Sequence, residues 1–324
     1  MTDATQSRRG AFLAPLFLFV AATLIPELLI GSTPLSRIHT LLFQFPYYGS
    51  AALLIREAVV RFGLGRTGLV CLGLAFGVMT EGLALQSVFN PRFLNLDISF
   101  GRIGDVNWPW TIYMVGYHAL WSVSIPVTLA GIVFRHRQRE PWLGRIGLGG
   151  FLVLFPVMAF AFHAIFVKMS GFRAPVLPYV AAAVTAVLLA AAGFGLRRRD
   201  SSTTTLPPAV YLPGIITLLA GGAWLLLYGE IFRPQRLVPA PVNLAAGLLL
   251  AAGGILLSRW MRRGAWSDRH SFSFVAGGLA ANSLFGFVVV SGSALDTCGQ
   301  IGIVLLVGTG LVLLERRLRG KASG

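Results

Sequence analysis

The chain has 324 residues, of which 55% are hydrophobic and only 12% charged, with a formal net charge of +15. Soluble domains carry roughly twice that share of charged residues. The composition therefore excludes one or two ordinary soluble domains and fits a chain dissolved in lipid. The positive charge could suggest a nucleic-acid partner. Yet the arginines sit in short clusters between apolar runs, as in segments that anchor helices at an anionic leaflet, so no nucleic-acid partner is expected. Two cysteines, Cys71 and Cys298, without a CxxC pair, predict neither a disulfide framework nor a cysteine zinc cluster.

In chain order, ten apolar segments are predicted to span, at about 11–30, 38–58, 68–90, 110–134, 146–168, 175–195, 209–229, 240–258, 272–292 and 299–315. Each approaches the roughly 20 residues that cross about 30 Å of hydrocarbon. The first follows Arg8 and Arg9 and is too long for a signal-peptide core, so it reads as an uncleaved span. Of the 27 Lys and Arg, seven (Arg37, Arg92, Arg102, Lys168, Arg173, Arg233 and Arg236) fall in alternate loops, and the remainder fall in the loops between them. The positive-inside rule places the richer set in the cytoplasm, with both termini. The fold class is thus an all-α polytopic helix bundle. The polar stretch 197–208 reads as a cytoplasmic linker between a six-span bundle, 1–196, and a four-span bundle, 209–324. Tyr47, Tyr48, Trp108, Trp110, Trp142 and Trp260 fall where interfacial aromatics are expected.

Ionisable residues inside spans are costly and mark functional candidates. Glu81 lies roughly 14 Å from the outer end of the third segment, and His118 roughly 12 Å into the fourth from the same face. His163, on the fifth, lies roughly 7–8 Å from that face. Glu81 and two histidines could bind a divalent metal such as zinc. Glu81 could instead activate water while the histidines polarise a carbonyl. The plainer reading is a structural Glu81–His118 pair between helices. Ser122 shares the face of His118 at i, i+4. Asp105 and Asn107, in the longest outer loop, could cap the cavity or could simply form a turn. Glu27, beside Pro26, adds a carboxylate near the same face or is an end residue reaching water. Gln44 and Asn282 are neutral companions. Glu57 and Arg61 predict an i, i+4 ion pair at the wet inner end of the second segment. His39 and His270 are expected in solvent.

The stretches TEGLALQ (Glu81), MVGYH (His118) and HAIFV (His163) resemble the successive motifs of the CAAX-protease and bacteriocin-processing (CPBP) membrane peptidases, and more distantly the PrsW-type proteases. Thr80, Leu85, Met114 and Val167 stand where those motifs carry glutamate, arginine, phenylalanine and asparagine. The resemblance implies an intramembrane peptidase, or an inactive scaffold of that type, with a membrane-anchored peptide or lipid as substrate; the arginine-over-lysine bias and the Ala- and Gly-rich composition point to a bacterial inner membrane. A transporter or binder of a lipid or small amphiphile is the alternative use of the same polar cluster.

Overall fold

The computed structural model describes residues 2–93, 101–195, 208–229, 247–249, 252–256, 259–260, 266–290 and 293–320. Among them the architecture is helical. The exception is one two-stranded hairpin, Arg102–Ile103 against Val106–Asn107. Among the described residues, the bundle is framed by α1 (Thr2–Thr23), α2 (Leu41–Phe62), α3 (Gly65–Val78), α4 (Trp108–Tyr117), α5 (Ile125–Val133), α6 (Arg145–Ser170), α7 (Val176–Gly195), α8 (Leu212–Gly229), α9 (Asp268–Val289) and α10 (Ala294–Gly320).

Seven helical stretches among the described residues are long and apolar enough to cross a membrane: Phe12–Leu29, Gly65–Ala84, Trp108–Val133, Arg145–Ser170, Val176–Gly195, Asp268–Val289 and Ala294–Gly320. Each coincides with a predicted segment. The second predicted segment is α2, long enough at 22 residues but carrying Gln44, Arg56, Glu57 and Arg61, which lower its apolarity. The seventh is α8, whose apolar part, Leu212–Leu226, is short. The eighth and the linker 197–208 lie largely outside the described residues.

Exposed apolar side chains line α6 (Leu152, Val153, Phe160), α7 (Val184, Val187, Leu188) and α10 (Leu305, Leu306, Leu313). A surface of this kind would be a liability in water and is the expected lipid-facing wall of a bundle. Beside two smaller apolar clusters, around Leu18 and Leu53 and around Tyr47 and Phe76, the largest apolar core runs from Ile25 through Trp110, Tyr117 and Trp121 to Trp224, Leu279, Phe285 and Leu314. It runs across the position of the expected linker. α9 reaches the first half directly, where the Trp121 indole donates to the Gly278 carbonyl at 2.8 Å. Glycines let backbones approach in lipid, where packing replaces the hydrophobic effect. The Gly214 and Gly277 crossing of α8 and α9 leaves no room for a Cβ.

The interfacial expectation fails for four aromatics. Tyr47, Tyr48, Trp110 and Trp142 are buried: the polar tips of Tyr47, Trp110 and Trp142 find partners inside the protein, and the Tyr48 ring packs on Tyr47, Phe76 and His118. His270 is also buried rather than solvated. Its imidazole closes a capping box with Ser267 at the start of α9 and reaches the Pro208 carbonyl at 2.9 Å.

Candidate functional site

Three of the seven spans change winding partway. The α1 span ends in a π-helical turn, Leu24–Leu29. The α3 span ends in another, Met79–Ala84. A third, His118–Ser124, joins α4 to α5. π-helical turns are rare and concentrate at functional sites. Each of these holds one intramembrane ionisable residue: Glu27, Glu81 and His118 respectively. Proline explains part of the rewinding. Pro26 sits inside the first turn and Pro126 just beyond the third, and neither can donate a backbone hydrogen bond.

The freed carbonyls of the first turn are claimed by side chains from elsewhere. Asn282 donates to Ile25 O at 2.8 Å, Tyr117 to Pro26 O at 3.1 Å and Gln300 to Leu29 O at 2.7 Å. The C-terminal helices thus hold the rewound end of the first span. Sequence reading singled out Asn282 but missed Gln300 and Tyr117.

Glu81 and His118 meet, as their matched depths predicted. His118 Nε2 lies 2.7 Å from Glu81 Oε1, with Glu81 fully buried and His118 only 2% exposed. A small-residue stripe brings them together. Gly73, Gly77 and Glu81 recur every four residues on one face of the α3 span. A Cβ on Gly77 would lie 2.9 Å from the Val115 backbone and 3.3 Å from His118 Cβ. Gly77→Val is therefore expected to destabilise the fold by about 1–3 kcal/mol through overpacking and to pull the pair apart. Thermal unfolding in detergent checks this. Gly150→Val, where a Cβ meets nothing within 4 Å, serves as the control.

The hydrogen bonds around the pair run in one direction. The Trp110 indole can only donate, and it donates to Ser87 Oγ at 3.0 Å. Ser87 in turn donates to Glu81 Oε2. On the other side, Ser122 Oγ lies 2.9 Å from His118 Nδ1. With a neutral imidazole, Nε2–H donates to Glu81 and Nδ1 accepts from Ser122. With an imidazolium, Nδ1–H donates and the Ser122 hydroxyl rotates to accept. The site can gain one proton with no displacement of a heavy atom. Rings of Tyr48, Phe76 and Tyr117 pack around the imidazole at centroid distances of 5.8, 5.7 and 6.1 Å.

His163 does not join this pair. Its Nδ1 lies 2.9 Å from Leu83 O and 3.3 Å from Gln86 Nε2. Leu83 O can only accept, so Nδ1 carries a proton there. His163 thus holds the chain at Leu83, where the α3 span stops, and the Gln86 amide nitrogen, itself a donor, is a neighbour and not a hydrogen-bond partner of that Nδ1–H. Gln86 has a left-handed backbone, φ 54°, and its Oε1 accepts from Ala174 N at 2.6 Å. The expected Glu81, His118 and His163 metal set is therefore not assembled. Among the described residues, no group of three or more His, Cys, Asp or Glu side chains is placed to hold a metal ion. Glu81, His118 and His163 as placed do not form a zinc ligand set.

Glu27 sits at the outer end of its span among polar partners. Its Oε2 accepts from Ser32 Oγ at 3.0 Å, Thr33 Oγ1 at 2.9 Å and Gln44 Nε2 at 3.1 Å. Asp105 is an exposed hairpin-turn residue beside Gly104, and its carbonyl accepts from Arg102. It forms no part of the cluster. Asn107 is buried and caps α4, accepting from Trp110 N at 2.8 Å. It supports the site by fixing the start of the helix that carries Trp110 and leads to His118. Asn107→Ala is expected to cost about 1 kcal/mol through loss of the cap, measured as a lower unfolding temperature.

Comparison with curated proteins and with solved structures returns no match. A family model covers residues 16–316 and gives no support to a CPBP- or PrsW-type relationship. That match spans nearly the whole chain, and the chain accordingly belongs to an uncharacterized membrane protein family.

Proposed function

We propose that the protein is a proton-coupled membrane transporter, with Glu81 and His118 as the site that takes up and releases the proton. One observation carries this reading: the intramembrane Glu27, Glu81 and His118 each occupy a rewound turn of a different span, and two of them pair. Interrupted helices near mid-membrane are the usual construction of transporter binding sites. Glu–His chains in membranes are the usual construction of proton relays. The rings around His118 favour a cargo with an apolar body, such as a small amphiphile. The arginine-over-lysine bias and the Ala- and Gly-rich composition favour a bacterial inner membrane.

The test is the protein in lipid nanodiscs, with the His118 imidazole followed by nitrogen NMR as pH is varied. Reversible proton binding at His118 that disappears in Glu81→Gln is expected. An imidazole whose state never responds to pH removes the proposal.

A hydrolase is the second reading, and one observation favours it. Glu81, His118 and Ser122 follow the acid–imidazole–hydroxyl order of nucleophilic sites. Ser122 would be the nucleophile, acting on a membrane-anchored peptide or lipid. Ser122→Ala separates the two readings. A hydrolase loses labelling by a serine-directed fluorophosphonate and all turnover. A proton carrier keeps the Glu81–His118 pair and continues to bind protons.

A further inference from the structure

We propose that Glu27, Ser32, Thr33 and Gln44 form a binding site for one hard monovalent cation, with sodium the ion that fits its charge and spacing. Such a site goes beyond the proton-handling reading above and does not depend on it. Charge balance points to it first. Glu57 is paired with Arg56 and Arg61, Glu81 with His118 and Asp268 with Arg135. Among the described residues, Glu27 forms no ion pair with any Arg, Lys or His side chain. It accepts instead from Ser32, Thr33 and Gln44, and all three bonds fall on Oε2, which leaves Oε1 to one side. Neutral donors solvate a carboxylate but leave its charge unbalanced, and an unbalanced charge inside a span is costly.

The oxygens are spaced for an ion. Ser32 Oγ lies 3.0 Å and Thr33 Oγ1 2.9 Å from Glu27 Oε2, and Gln44 Oε1 lies 3.4 Å from Thr33 Oγ1. A calcium-sized ion that takes oxygens at about 2.3–2.6 Å needs them roughly 3–3.5 Å apart. Sodium has that size and half the charge. One carboxylate among neutral oxygens balances it, where a divalent ion would stay half uncompensated. Each hydroxyl has a second acceptor to turn to, Ser32 the Glu27 carbonyl at 3.0 Å and Thr33 the Gln44 Oε1 at 3.4 Å, so both can present a lone pair to the ion. The place in the fold suits a cation. The first span ends here in its π-helical turn, and Gly31, with φ 80°, folds the chain back so that Thr33 N donates to Glu27 O at 2.9 Å. The C-terminal end of a helix is the negative end of its dipole, and broken helix ends of this polarity hold sodium in transporters. Ser32 is exposed and Thr33 buried, which gives the ion a way in. The charge pattern assigns this face to the outside. A bound ion would tie Glu27 of the first span to Gln44 of α2.

The experiment uses the full chain in lipid nanodiscs at fixed pH, with radioactive sodium measured by equilibrium dialysis and choline holding the ionic strength constant. The unaltered protein is expected to take up one sodium saturably, with potassium and calcium binding more weakly. Glu27→Gln keeps the volume and an acceptor for the hydroxyls, and should weaken sodium binding about a hundredfold or more through loss of the charged ligand. Thr33→Val keeps the side-chain shape without its oxygen and should weaken it about tenfold. Size-exclusion profiles confirm that each variant is folded, and Thr33→Val decides the matter if Glu27→Gln is not. No saturable sodium uptake by the unaltered protein overturns the inference. Unchanged uptake in either folded variant, or tighter binding of potassium or calcium than of sodium, also overturns it. A His118 imidazole that never takes a proton removes the transporter reading and leaves this site standing.

Discussion

Glu81→Gln is expected to abolish proton uptake at the site while the bundle stays folded. Glutamine has nearly the same volume as glutamate, and its oxygen can accept from Ser87 or from His118 Nε2–H. The neutral imidazole therefore keeps its place. What is lost is the counter-charge. A buried charge stripped of its partner costs about 3–5 kcal/mol, so the imidazolium state is no longer occupied. His118→Ala acts from the other side. It leaves a carboxylate that is fully buried without its 2.7 Å partner, and a space among the rings of Tyr48, Phe76 and Tyr117. Both proton uptake and thermal stability should fall in that variant. Proton flux in liposomes loaded with a pH-sensitive dye, read beside unfolding temperature in detergent, separates the two effects. Glu81→Gln with normal flux would show that the pair is a structural link between helices.

The Glu81–His118 contact was legible because it needs only two facts, depth and adjacency. Consecutive antiparallel spans with polar residues at equal depth can meet if they share a face. The shared face carries a mark that went unread, Gly73, Gly77 and Glu81 at a spacing of four, the close-approach stripe of membrane helices. His163 was misplaced for the reason that Glu81 was placed well. Its shallower depth matches the broken end of the α3 span, Leu83 to Gln86, and not Glu81 itself. Nothing in the helical period announces that break, since Gln86 is not a glycine and yet takes a left-handed backbone. The π-helical turns were legible only through Pro26 and Pro126. The turn around Glu81 has no proline, and the back-bonding of Thr80 to Phe76 O is its one local mark. Tyr47 and Trp110 were read as interfacial because an amphipathic ring near a span end usually is. A partner for the polar tip, distant in sequence, reverses that assignment.

Glu57→Ala is expected to be the most destabilising single change away from the proton site. The i, i+4 bond from Arg61 Nε to Glu57 Oε2 forms as its spacing predicts, at 2.9 Å. The surroundings are not the wet interface expected of it. Glu57 is 1% exposed and Arg56 3%. The turn after α5 folds over them, and Trp142 N donates to Glu57 Oε1 at 2.7 Å. Arg56 donates to the same oxygen at 2.8 Å and to the carbonyls of Arg137 and Gln138, both at 3.2 Å. Its guanidinium lies 3.6 Å from the centroid of the Trp142 ring. One carboxylate thus balances two arginines and ties α2 to the turn before α6. Removing it leaves two positive charges side by side, one of them out of water, at a cost of about 3–5 kcal/mol. Glu57→Gln keeps the acceptor for Trp142 N and should lose less. Combining Glu57→Ala with Arg56→Ala should cost less than the sum of the two single changes, because the pair acts as a unit. Unfolding temperatures of the three variants and the double variant, taken in one detergent, decide the matter. Additive losses would mean that Arg56 is held by the carbonyls and Trp142 alone, with Glu57 balancing only Arg61.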